Sequence, residues 1–196
     1  MPLLAALFLL ALQAQPADSV VYVLSPASAL EVRTGNAGLL AFAGHEHIVR
    51  ARAFSGRITY DRDRPANSRV DIVIPTDSLE VLTPPDTAEI RKVTAAMRSD
   101  VLDVTAYPEI RLVSRSVTWS ESGVHIVAAL TIRNQTRDVP LDARIDIRDD
   151  TLRATTTFAI KQTDFGITPY RGGPAGTVRV ADRVTFDIRV VAVRKP

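Results

Sequence analysis

The stretch Val178-Arg179-Val180-Ala181-Asp182-Arg183-Val184-Thr185-Phe186-Asp187-Ile188-Arg189-Val190 decides the fold. From Val184 onward Val184, Phe186, Ile188 and Val190 alternate with Thr185, Asp187 and Arg189. A side-chain period of two belongs to a β-strand, whose successive residues point to opposite faces, so this strand has one dry side and one wet side. Val178 and Val180 carry the dry face further back, with Arg179 and Arg183 opposite. The same pattern recurs upstream. Leu141, Ala143, Ile145 and Ile147 stand against Asp142, Arg144, Asp146 and Arg148, and Val70, Ile72 and Ile74 stand against Arg69 and Asp71.

Further strands are expected over residues 20–24, 29–33, 39–49, 52–60, 110–119, 124–133 and 151–160. Turn signals fall at residues 33–36, 64–67, 121–123, 134–135 and 149–150, rich in Gly, Pro, Asn and Asp. The exception is central. Pro84-Pro85-Asp86 opens a helical stretch over residues 87–97, in which Ile90, Val93, Ala96 and Met97 share a face and Asp86 can cap the start. The fold class is therefore all-β, an antiparallel barrel with a short helical insertion in the middle of the chain. Closing such a barrel pairs the first strand with the last and removes exposed edges.

Composition sets limits on chemistry. The 196 residues are 46% hydrophobic and 23% charged, and none is cysteine, which excludes thiolate catalysis, CxxC redox chemistry and Cys-ligated metal. A chain of this size builds a core without staples. The formal charge of +2 is spread over mixed runs such as Asp61-Arg62-Asp63-Arg64, with no block of like charge to grip phosphates, so nucleic acid is not an expected partner. All the basic residues but Lys92, Lys161 and Lys195 are arginine.

The N-terminus reads as an export signal. Residues 3–12, LLAALFLLAL, are too few to span a bilayer but suit a signal-peptide core, and small residues around Ala14 and Ala17 suit the peptidase. Met1-Pro2 carries no Lys or Arg, an atypical start. The expected division is residues 1–17 as signal peptide and 18–196 as one mature domain in the periplasm or outside the cell, with no membrane span.

At this point the order of segments resembles the YceI-like family, exported lipocalin-like barrels associated with polyisoprenoid binding. Four stretches carry the likeness: Phe54-Ser55-Gly56-Arg57-Ile58; the run from Met97 to Ile110 with its Tyr107-Pro108-Glu109-Ile110; Leu130-Thr131-Ile132-Arg133-Asn134-Gln135-Thr136; and Asp164-Phe165-Gly166-Ile167. Asn134 stands where the family hairpin commonly has Gly, and Asn tolerates the left-handed backbone such a turn needs. Asp-Phe-Gly also occurs in protein kinases, but no Gly-rich loop or His-Arg-Asp accompanies it here.

The resemblance implies a barrel whose apolar lumen shields an isoprenoid, quinone or fatty-acid-like chain, acting as a binding protein without catalysis or cofactor. The tunnel wall is expected among Phe42, Phe54, Leu112, Phe158, Ile160 and Phe186, with Leu79, Met97 and Leu102 of the insertion as a cap. A homodimer is among the expected assemblies. Burying such a chain is worth about 0.8 kcal/mol per CH2, so few polar contacts are needed.

The competing reading is a metal-binding or metal-dependent protein centred on Gly44-His45-Glu46-His47. On a regular strand His45 and His47 project to one face about 7 Å apart, a spacing that can serve one ion. A third ligand would have to come from His125 or a carboxylate on a neighbouring strand. Alternatively the pair meets a ligand head group at the tunnel mouth. No serine sits in a Gly-x-Ser-x-Gly elbow, and Arg171-Gly172-Gly173-Pro174-Ala175-Gly176 lacks the Lys-Ser/Thr of a phosphate loop; it is expected to form a loop at the barrel rim.

Overall fold

A computed structural model describes residues 19–36, 47–82, 87–172 and 178–195. In chain order its strands are β1 (Ser19–Leu24), β2 (Ala29–Asn36), β3 (His47–Ala51), β4 (Ser55–Asp61), β5 (Arg69–Pro75), β6 (Leu79–Val81), β7 (Glu109–Ser120), β8 (Gly123–Ile132), β9 (Gln135–Arg148), β10 (Thr151–Lys161), β11 (Arg171–Gly172) and β12 (Val178–Arg194), with helix α1 (Thr87–Ala96) between β6 and β7. β1, β4, β5, β7, β8, β9, β10 and β12 pair in that order, and β12 pairs back to β1, closing an antiparallel barrel of 8 strands. β2, β3 and β6 continue from β12 as a flap.

Alternation dictates the wall. On β8, Val124, Ile126, Ala128, Leu130 and Ile132 are buried at every second position, and β9 continues with Val139, Leu141 and Ala143. The opposite faces carry the mixed charges, paired across strands as Arg33–Asp187, Arg111–Asp71, Arg115–Asp138 and His125–Asp142. Exposed pairs of this kind contribute about 0–1 kcal/mol each, so the barrel is held by its inner face and its ladders.

The turns follow local chemistry. Arg133 and Asn134 both take positive φ, 48° and 58°, in the two-residue connection that pairs Ile132 with Gln135. That is the left-handed pair a tight hairpin requires, and Asn134 supplies it where Gly would otherwise be favoured. In Asp164-Phe165-Gly166-Ile167, Gly166 sits at φ 68° and ends a short turn, which sends Phe165 (1% exposed) and Ile167 (5%) inward. Gly56 is required by close approach, because a Cβ there would lie 3.0 Å from both Leu24 methyl carbons and 3.1 Å from the Asp71 carbonyl.

α1 runs on into a π-helical turn, Met97–Leu102, and covers the free edge of β6. The edge groups are satisfied by side chains: Thr94 Oγ1 accepts from the Val81 amide, and the Arg98 guanidinium donates to the Leu79 carbonyl at 3.0 Å. This protects an otherwise open strand. Among the described residues no helix is long and apolar enough to cross a membrane.

Four expectations need correction. Residues 33–36 are not a turn, since β2 runs through Asn36, which pairs with Val180, while Thr34 pairs with His47. The strand expected from Arg52 starts at Ser55, after a bend. Leu79 belongs to β6 and not to the helical insertion, because it pairs with Ala51. The long terminal strand runs unbroken from Val178 to Arg194, but its alternation is irregular, its register with β2 shifting between Val180 and Val184. Uninterrupted alternation would have put Asp182 on the dry face; instead its carboxylate accepts from the Thr163 amide and hydroxyl at 2.9 and 2.8 Å. The division at residue 17, the Asp86 cap, residues 39–46 of the expected strand and most of the loop at 173–177 lie outside the described residues.

Candidate functional site

The inner wall is not uniformly sealed. On β10 the inward residues Leu152 and Ile160 are buried, but Ala154, Thr156 and Phe158 between them are only half-buried. β12 repeats this: Val184 and Val190 are buried, while Phe186 and Ile188 between them are not fully so. By alternation these residues share the inward side of the two strands, and each keeps part of its surface. Close packing buries mid-strand residues most; β10 and β12 reverse that order, whereas on β8 and β9 Ala128, Leu130 and Leu141 are buried in mid-strand.

Pair register builds this band. Phe158 lies opposite Phe186, Phe186 opposite Val32, and Val32 opposite Val49. The two phenyl rings stack with centroids 4.8 Å apart and planes within 10°. One row further, Thr156 lies opposite Ile188 and Ile188 opposite Leu30. Thr156 Oγ1 is buried without a hydrogen-bond partner among the described residues, a lone hydroxyl in an apolar surround. The row on the other side joins Ile160, Val184, Thr34 and His47, so alternation sets His47 on the inner face at an end of the band. Phe165 and Ile167 are buried nearby, the turn that carries them following directly on β10.

A second feature lies where the barrel and flap part. β1 turns into β2 through residues 25–28, and β3 into β4 through residues 52–54; between these bends is a half-open cavity of about 430 Å³. Leu24, Ala51 and Phe54 from the inner face line it together with Ala27, Ser28, Arg50 and Arg52. Arg50 is paired with the buried Glu31 and Arg52 with Glu80. The Arg52 guanidinium, by hydrogen bonding, holds the Glu80 carboxyl below the ordinary carboxylate range, and Glu80 raises Arg52 in return.

Of the residues expected to form the tunnel, Phe158 and Phe186 meet face to face, Leu112 is half-buried on the inner face of β7, and Ile160 is buried at an end of the band. Phe54 lines the cavity at the bends. Met97 and Leu102 pack on the core from the π-helical turn, Leu79 beside them on β6. Phe42 and His45 lie outside the described residues. His125 is not a companion of His47: it points outward from β8, its Nδ1 2.9 Å from Asp142 Oδ1. Sequence reasoning did not place Ala154, Thr156, Ile188, Val32 or Val49 in the tunnel wall, although Ile188 was read on the dry face of its strand. Their period-two placement beside Phe158 and Phe186 was the available signal.

These features define a class, the closed antiparallel barrel with an apolar interior and a helical insertion. The YceI-like domain model matches residues 22–192, nearly all of the described chain, and the chain belongs to that family. Protein YceI of Shigella flexneri is 29% identical over 92 residues, a match spanning 47% of this chain and 45% of that protein, about half its length. The crystal structure of Burkholderia cenocepacia BcnA is similar at a TM-score of 0.71 with 18% identity, over 87% of this chain and 99% of that one. A polyisoprenoid binding domain from Saccharophagus degradans, implicated in plant cell wall breakdown, is similar at 0.60 with 14% identity, over 89% and 98%. The Campylobacter jejuni YceI protein is similar at 0.58 with 17% identity, over 76% and 85%.

Proposed function

We propose that this protein is an exported, non-enzymatic carrier that holds a long-chain amphiphile, an isoprenoid, quinone or fatty-acid-like molecule, in its barrel. The observation that carries the reading is the half-buried apolar band in mid-barrel, centred on Phe158 and Phe186 and flanked by buried residues on the same strands. A polyprenyl or acyl chain fits such a band because each CH2 taken from water contributes about 0.8 kcal/mol with no directional demand. Thr156, Thr34 and His47 are polar groups on this inner face that can meet a head group. The kinship with YceI-like proteins, one of them described as polyisoprenoid binding, supports the same reading. Export rests on residues 1–17, whose short apolar run suits a signal peptide.

The test is mass spectrometry of the organic extract of protein purified from its native source. A single class of long-chain amphiphile in near-stoichiometric amount is expected. Repeated extracts holding none would overturn the reading.

A further inference from the structure

Among the described residues three large hydrophobic side chains are exposed, and two of them, Val23 (40%) and Val193 (46%), are cross-strand partners. They stand on the outer face of β1 and β12, at the line where the barrel closes. Val21 and Val191, two residues away on the same outer faces, are half-buried and extend the patch. Apolar side chains are misplaced on this face, which elsewhere carries paired charges.

The border of the patch is cationic. Arg57 lies opposite Val23, Arg153 opposite Val191, and Lys195 follows the end of β12. None of the three has an ion pair among the described residues, although acids are close. Asp71, opposite Arg57, is taken by Arg111 through bonds of 3.2 and 2.6 Å; Asp146, opposite Arg153, is taken by Arg148; and Asp150 faces Arg194.

We infer that this outer face of β1 and β12 docks on an anionic phospholipid surface. Valines enter the interfacial layer while Arg57, Arg153 and Lys195 meet lipid phosphates, the pairing of apolar and cationic groups that peripheral membrane binding uses. A second copy of the chain is a poorer occupant, because a two-fold contact would bring the same uncompensated cations together. The location suits a carrier. Val191 is bound to the turn bordering the cavity between barrel and flap, its carbonyl accepting from Ser25 N at 2.8 Å and Ser28 Oγ at 3.0 Å. The face and the cavity thus share one turn, and the inference extends the carrier reading to where cargo is exchanged.

The chain has no cysteine, so Val193→Cys gives a single site for an environment-sensitive fluorophore, and His125→Cys gives one on the far wall. With vesicles of phosphatidylglycerol and phosphatidylcholine, the label at 193 should shift to the blue and brighten, the label at 125 should not, and phosphatidylcholine alone should do neither. Replacing Arg57, Arg153 and Lys195 by Gln should weaken the response at 193 by about fivefold per cation at low salt. Equal responses at both positions, a response that survives the three replacements, or one that grows with protein concentration without vesicles would each overturn the docking face. The comparison between positions keeps any membrane affinity of residues 1–17 from deciding the result. Cargo is read separately by extraction: a chain that carries an amphiphile but gives no signal at 193 loses this inference only, and one that docks but carries nothing loses only the carrier reading.

Discussion

Whether the middle of the barrel is empty can be decided by placing the same side chain at two alanines. Ala128 on β8 has 0% exposure and sits in the sealed part of the wall. Ala154 on β10 is half-buried, opposite Val190 and Ile145 in the open part. Leucine adds three carbons at either position. At Ala128 these have no room, and overpacking costs about 1–3 kcal/mol, roughly 2–12 °C in Tm for a chain of this length. At Ala154 they enter free space and bury apolar surface, so Ala154→Leu should leave Tm unchanged or raise it. The same carbons take space from cargo: three methylene equivalents are worth about 2.4 kcal/mol, roughly fiftyfold in Kd. Thermal unfolding of both variants and displacement of a fluorescent fatty acid measure the two effects. If Ala154→Leu destabilised as much as Ala128→Leu, or left affinity untouched, mid-barrel would be filled and the reasoning wrong.

Two further outcomes follow from the hydrogen bonds. Ser28 Oγ accepts from the Val191 amide and donates to its carbonyl, each at 3.0 Å, so Ser28→Ala leaves a part-buried amide without its protein partner, at a cost of about 1 kcal/mol. Amide exchange should quicken at Val191 but not at Ala128, and unchanged exchange at Val191 would refute it. The Asp182 carboxyl lies below its ordinary range because the Thr163 amide, first, and then its hydroxyl bind the ionised form. A depressed folded value means the stabilisation is full above the unfolded value, about 3.9, and fades as pH falls through the folded one. Asp182→Asn should therefore lower Tm at neutral pH, with the gap from the parent closing in acid; a gap independent of pH would count against the assignment.

The strands were legible because one face of each is dry. β8, β9, β10 and the second half of β12 are laid out by alternation alone, and closure follows from the need to remove edges. Thr34-Gly35-Asn36 was misread because Gly and Asn favour turns locally, whereas ladder bonds to β3 and β12 hold the segment extended. The irregularity near Asp182 did have a sequence sign, a carboxylate on the apolar side of the period. Its resolution needed the partner at Thr163, nineteen positions away in sequence and invisible to any local pattern. At the site, Phe158 and Phe186 announced themselves by size, while Ala154 and Ile188 did not. Whether an inward residue packs or lines a space depends on what the opposite wall supplies.

The cavity beside the flap has a cause in strand length. β12 has 17 residues and pairs with β10 along most of them, but on its other side it meets two shorter strands, β2 and then β1. One long strand cannot be matched by a single short one, so the chain bends at residues 25–28 to change from β1 to β2. β4 follows β1, β3 follows β2, and the two parts diverge with no ladder between β3 and β4. A closed barrel has no free edge through which cargo could pass. This one closes along part of its height and hands the rest to a flap, leaving a side opening whose floor is Leu24, Ala51 and Phe54. The half-buried Val191 is hydrogen-bonded to that bend and the exposed Val193 lies two residues further along the same outer face, so an apolar outer face stands next to the place where the wall splits.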